Sequence, residues 1–170
     1  MKTGWMRARS VVFALGLALL ASCSSRSAQE PEAAGIGQPG VDVGSITVTL
    51  APNLEADAKT VFDEVNGTTR LKAAVEGILT KVGRLKPDSP RVMQVEVTDF
   101  RLRSGATVFW VGIMAGVDIL DVTVTVRDGS QIVRQFSTGV GSSGIAGGLS
   151  SSSRFQPMAD VVADRVAEQL

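Results

Sequence analysis

The chain has no histidine and a single cysteine among its 170 residues. Without histidine it lacks the commonest general base and the commonest metal ligand, and a Ser-His-Asp hydrolase triad is excluded. One cysteine, at position 23, allows no internal disulfide and no cysteine-based zinc site. Positive charge is not in surplus either: Lys plus Arg and Asp plus Glu number 17 each. Lys2, Arg7 and Arg9 all precede Cys23, which leaves 14 basic and 17 acidic residues behind it, a net of −3. A nucleic-acid surface needs clustered positive charge and is not expected. Two apolar stretches stand out, residues 10–20 and 106–117. Both are shorter than the about 20 residues of a membrane-spanning helix.

What the chain does have begins with the surroundings of that cysteine. "MKTGWMRAR" is a short basic segment, "SVVFALGLALL" is apolar, and the small residues Ala21 and Ser22 follow. This three-part layout is that of a secretory signal peptide. Leu20-Ala21-Ser22-Cys23 also resembles the lipobox of bacterial lipoproteins. The resemblance implies a diacylglycerol on the Cys23 thiol, cleavage just before it and acylation of the new amino group. Each buried methylene contributes about 0.8 kcal/mol, and a lasting anchor takes two or more chains. Ser24 stands where an aspartate commonly signals inner-membrane retention, so the resemblance implies an outer-membrane anchor facing the periplasm. A plain secretory signal with an incidental cysteine is the other reading.

Three segments follow: a lipoprotein signal peptide over 1–22, a lipidated cysteine and flexible tether over 23–44, and one domain over 45–170. "SSRSAQEPEAAGIGQPGVDVG" carries few large apolar residues and cannot bury enough surface to offset its ordering entropy. As a random coil it reaches on the order of 25 Å. "SITVTL" then alternates strictly, as a half-buried strand does. Leu54, Ala58, Val61, Phe62 and Val65 fall at helical spacing, with Asn53 as the expected N-cap. Asn66-Gly67 interrupts, and a second helical stripe runs from Leu71 to Val82, capped by Thr68 or Thr69. These are two helices, or one long helix broken at Gly67. "RVMQVEVTDFRLR" alternates until the phase slips at Asp99-Phe100, which predicts a bulge.

Residues 118–138 read as a hairpin turning at Asp128-Gly129, and 139–153 as a Gly/Ser loop. The last helix places Pro157 in its first turn and Met158, Val161, Val162, Val166 and Leu170 on one face. The expected fold is an α+β two-layer sandwich. It has about four strands in a mixed sheet, β-α-β-β-β-α order and helices on one face. The other face is threonine-rich, open to water or to another protein.

Chemistry is sparse. Gly139-Val140-Gly141-Ser142-Ser143-Gly144 matches G-x-G-x-x-G, but the expected helix starts about a dozen residues later, whereas the dinucleotide fingerprint opens one directly. Asp99, Asp118 and Asp121 could in principle act as paired carboxylates; spaced as they are among threonines, they read as a solvated sheet face or strand end. No cofactor and no metal are expected. The apolar run "ATVFWVGIMAGVDIL" holds Trp110, the only tryptophan beyond the signal peptide. It reads as a buried strand with a glycine bend. Its functional reading is an exposed apolar loop or hairpin that meets a partner through Phe109, Trp110, Ile113 and Met114 or dips into a membrane interface; a transmembrane element formed only on oligomerisation is the third reading.

"RVMQVEVTDFRLRSG", "GVDILDVTVTVRDGSQIVRQFSTGV" and "MADVVADRVAEQL", together with the lipobox, resemble the DUF4410 family of bacterial lipoproteins. The resemblance implies an envelope location and a fold type, and no reaction. The functional expectation is a non-enzymatic, lipid-anchored envelope protein. It would be an accessory or binding subunit of a transport, secretion or assembly system, with an envelope protein or a second copy as partner. The alternative is a carrier of a small ligand or lipid, with a pocket lined by Met93, Trp110 and Met114. An enzyme using Asp and Ser groups is the third reading.

Overall fold

The computed structural model describes residues 40–103, 116–142 and 150–170. Among the described residues, seven elements run in the order β1 (Ser45–Leu50), α1 (Ala56–Glu64), α2 (Gly67–Lys81), β2 (Arg91–Arg101), β3 (Asp118–Asp128), β4 (Gln131–Ser142) and α3 (Ser151–Glu168). The four strands form one sheet in the order β1-β2-β3-β4. β1 runs parallel to β2 through the α1–α2 crossover, and the other pairs are antiparallel. The expected α+β two-layer sandwich with a mixed sheet is the fold observed.

Alternation decides which face each strand buries. Ile46, Met93, Val95, Val97, Leu120, Val122, Val124 and Val126 point to the helical layer and are buried. They meet Leu71, Val75 and Leu79 of α2 and Met158, Val162 and Val166 of α3 in one hydrophobic cluster. Thr47, Thr49, Gln94, Glu96, Thr123 and Ser137 take the opposite parity. Here Gln94 Nε2 donates to Thr49 Oγ1 at 3.3 Å, and the Thr123 and Ser137 hydroxyls lie 3.0 Å apart. The bulge expected near Asp99 is present, as a register shift between Val97 and Asp99. The hairpin turns at Gly129, whose φ of 58° suits glycine.

The two helices after β1 are separate. Asn66 adopts the left-handed conformation between them (φ 52°, ψ 41°). Gly67 follows because a Cβ there would lie 2.6 Å from the Phe62 ring. Phe62, Phe100 and Phe155 pack edge to face, with centroids 5.0 to 5.9 Å apart, and join α1, β2 and α3.

Four boundaries differ from the sequence expectation. α2 starts at Gly67 with Asn66 at its N-cap, so Thr68 and Thr69 lie inside the helix and cap nothing. α1 starts at Ala56 after Glu55, which makes no side-chain cap bond, because Ala51–Leu54 close a turn and take Asn53 into it. α3 starts at Ser151, six residues before Pro157. The Ser150 hydroxyl caps it by accepting from Ser153 N at 3.1 Å, so the proline sits inside the helix on an exposed face. The packed domain also begins before Ser45. Val43 is fully buried and forms a parallel bridge with Leu85, and Val41 N donates to Leu170 O at 2.8 Å. Among the described residues no helix is long and apolar enough to cross a membrane.

Candidate functional site

Strand direction brings two connections to one end of the sheet. Arg101 at the end of β2 pairs with Ile119, and Asp118 at the start of β3 pairs with Ser142 at the end of β4. The links from β2 to β3 and from β4 to α3 therefore leave from neighbouring stems. The chain reaches the domain at the opposite end, where Gly44 N donates to Arg91 O at 2.8 Å and β1 begins beside Val92.

The stems are joined by charge. Asp118 lies on the core face of β3 with its side chain 1% exposed, as is that of Arg154; Arg103 is 5% exposed. Asp118 Oδ1 accepts from Arg103 N at 2.9 Å and from Arg103 Nε at 3.2 Å. Asp118 Oδ2 accepts from Arg154 Nη1 at 2.6 Å, and Arg154 Nη2 donates to the Arg103 carbonyl. One carboxylate thus holds the end of β2, the start of β3 and the first turn of α3 together. The reading of Asp118 as a solvated strand end is overturned. Its alternation partners Leu120, Val122, Val124 and Val126 face the core, and so does Asp118. Arg70 of α2 adds a tie, donating from Nε to Gln156 Oε1 at 2.9 Å and from Nη1 to Ser152 O at 2.8 Å. Its guanidinium lies 5.7 Å from the Phe155 ring centre.

The outer face at the same end is acidic. Beyond the bulge, Asp99 and Asp121 are direct cross-strand partners. Burial first, and the Asp99 charge second, push the Asp121 carboxyl above its ordinary value. Asp121 also covers β4 at Gly139, where any side chain would collide with its carboxylate. Like charges directly opposite are unfavourable. Beside them a cleft of about 390 Å³ opens between the start of α1 and the end of β2, lined by Glu55, Asp57, Asp99 and Arg101 over Val61 and Phe100. Among the described residues, no three acidic, cysteine or histidine side chains form a group that could hold a metal ion.

Leu20, Ala21, Ser22 and Cys23 lie outside the described residues, as do Phe109, Trp110, Ile113 and Met114. The structure places the stems of the segment that carries the last four, with Arg103 on one side and Asp118 on the other. Met93, expected to line a carrier pocket, is fully buried in the hydrophobic cluster. Gly139 and Gly141, read as loop, are residues of β4, so the first half of G-x-G-x-x-G is strand. Arg103 and Arg154 were not singled out by sequence reasoning. The signal for Arg154 was its spacing: 154, 158, 162 and 166 form one helical stripe whose other members are apolar.

No family model and no curated protein matches the chain. Solved structures similar to it include a PelC dodecamer from Paraburkholderia phytofirmans, at 14% identity and TM-score 0.43 over 73% of this chain and 87% of that one. A Xanthomonas campestris protein of the DUF330 family is similar at 8% identity and TM-score 0.46 over 78% and 86%. A minor lipoprotein from Acinetobacter baumannii is similar at 15% identity and TM-score 0.34 over 74% and 91%.

Proposed function

We propose that the protein is a lipid-anchored, non-enzymatic component of a bacterial cell envelope. Its domain binds another envelope protein, as an accessory or binding subunit of a transport, secretion or assembly system. The lipobox-like Leu20–Cys23 and the resemblance to DUF4410 lipoproteins support the anchor and an outer-membrane location facing the periplasm. The observation that carries the binding role is the polarity of the domain. The chain comes to the sheet at the β1 start, and the stems of 104–115 stand at the other end of β3, an 11-residue strand. At about 3.4 Å per residue that separates anchor side and stem side by about 35 Å. A partner that meets the stems is thereby engaged at the end of the sheet opposite to the one where the chain arrives.

Photo-crosslinking in cells tests this, with the probe at Trp110 and a control probe at Thr125 on the outer sheet face. A discrete protein adduct from 110 alone supports the reading. Lipid adducts from 110 would favour the carrier instead, and no adduct would remove the proposed interface.

A further inference from the structure

The cluster at the stems contains two guanidinium groups and one carboxylate. All three are nine-tenths or more buried, so one positive charge is left uncompensated. Two nitrogens of that cluster, Arg103 Nη2 and Arg154 Nε, are buried without a hydrogen-bond acceptor among the described residues. A buried charge needs a counter-charge, and a buried donor needs an acceptor. Water supplies the second and not the first.

The two stretches of chain that carry the arginines bring no further carboxylate. Residues 102–117, between Arg101 and Asp118, contain no Asp or Glu, and neither do residues 129–159. Arg103 lies in the first of these stretches and Arg154 in the second. Arg154 lies in the first turn of the 18-residue α3, whose N-terminal end adds the positive pole of the helix dipole. Arg70 adds another cation at the same helix end, bound among the described residues to neutral acceptors, Gln156 and the Ser152 carbonyl.

We infer that the Arg103–Asp118–Arg154 cluster is an oxyanion site, which takes a phosphate- or carboxylate-type group on Arg103 Nη2 and Arg154 Nε. The ligand supplies the missing negative charge and accepts from both nitrogens. Asp118 stays in place as the group that holds the two guanidiniums together. An anion bound there locks the stems of both connections, so its occupancy is coupled to how rigidly the end of the domain is presented.

The test is thermal unfolding of the full chain in a non-ionic detergent, with inorganic phosphate replacing chloride at constant ionic strength, and acetate in a parallel series. Site binding stabilises in proportion to the anion below its dissociation constant and logarithmically above it, by about 3–6 °C per tenfold rise. General exclusion of the salt from the surface instead gives a linear rise. A logarithmic response to phosphate or to acetate supports the site and tells which oxyanion class it takes. Arg103→Gln keeps a polar side chain and removes the excess charge, so its melting temperature is expected not to respond. A flat or linear response of the unsubstituted chain to both anions overturns the inference. So does an Arg103→Gln protein that responds equally. Should that variant not fold, the response curve of the unsubstituted chain still decides.

Discussion

At the end of the sheet where the chain arrives, the buried closure is made of backbone and hydrocarbon, and the ion pairs Arg84–Asp42 and Arg91–Asp128 lie in solvent around it. Val43 is buried, its carbonyl and amide are both engaged with the segment after α2, and Leu170 closes against Val41. At the other end closure is made of charge: one buried carboxylate between two buried guanidiniums. The two solutions behave differently when damaged. Apolar closure degrades in proportion to the atoms removed. An ion cluster contributes little net stability while whole, yet it is severely destabilising when one member is lost and the others stay buried. The second kind is therefore suited to fixing geometry. Three chain positions 15 to 51 residues apart in sequence are tied to one another's polar atoms, in a single arrangement.

The largest effect expected follows from removing the central charge. Asp118→Asn keeps the shape and leaves two buried cations without a carboxylate, at a cost of about 3–5 kcal/mol. Urea unfolding followed by circular dichroism measures it. A loss below about 1 kcal/mol, the range of a solvent-exposed pair, would mean that the cluster is not holding the stems. Val43→Ala at the opposite end is expected to cost about 2 kcal/mol, from two methyl groups and an incompletely filled cavity. The double variant sharpens the contrast. Independent ends give additive losses within about 0.3–0.5 kcal/mol. A larger discrepancy would show that both ends feed one cooperative unit, and the comparison would fail.

Much of this was readable in the sequence. The strands were legible because period-two alternation is strict in "SITVTL" and in "DVTVTV", and Asp128-Gly129 can scarcely be anything but a turn. The bulge at Asp99 was legible from the phase slip. The start of α3 was not. A serine run before Pro157 reads as loop, and only the Ser150–Ser153 cap turns it into a first turn. The burial of Asp118 was legible in one respect and missed in another. Parity puts it in register with Leu120, but a charged residue at a strand end is ordinarily solvated. Its burial depends on cations 15 residues before and 36 residues after it in sequence. Arg103 belongs to no periodic element, so nothing local marks it. Pairing of this kind is a property of topology, and it appears only once the ends of β2, β3 and α3 are brought together.

The smallest effect concerns the second carboxylate of β3, three residues along and on the opposite face. Asp121 has no cation beside it; it has Asp99. Burial and that neighbour hold its carboxyl above 3.8, the ordinary value. The folded protein therefore keeps this proton more tightly than the unfolded chain does. Its contribution to stability is fully present below the unfolded value and is lost as pH rises through the raised one. At neutral pH the ionised group is a small burden. Asp121→Asn is expected to raise the melting temperature at pH 7 by less than Val43→Ala lowers it. The difference should vanish below about pH 3.8, where both proteins carry a neutral side chain. Asp99→Asn should give a smaller gain, since it removes only the lesser of the two causes. Melting curves at pH 7 and pH 3 for the three proteins check this, with carboxyl carbon NMR to follow the titration. A gain that persists unchanged at pH 3 would trace the effect to packing over Gly139 rather than to charge. The outer face at this end would then be held as the inner face is not, by shape alone.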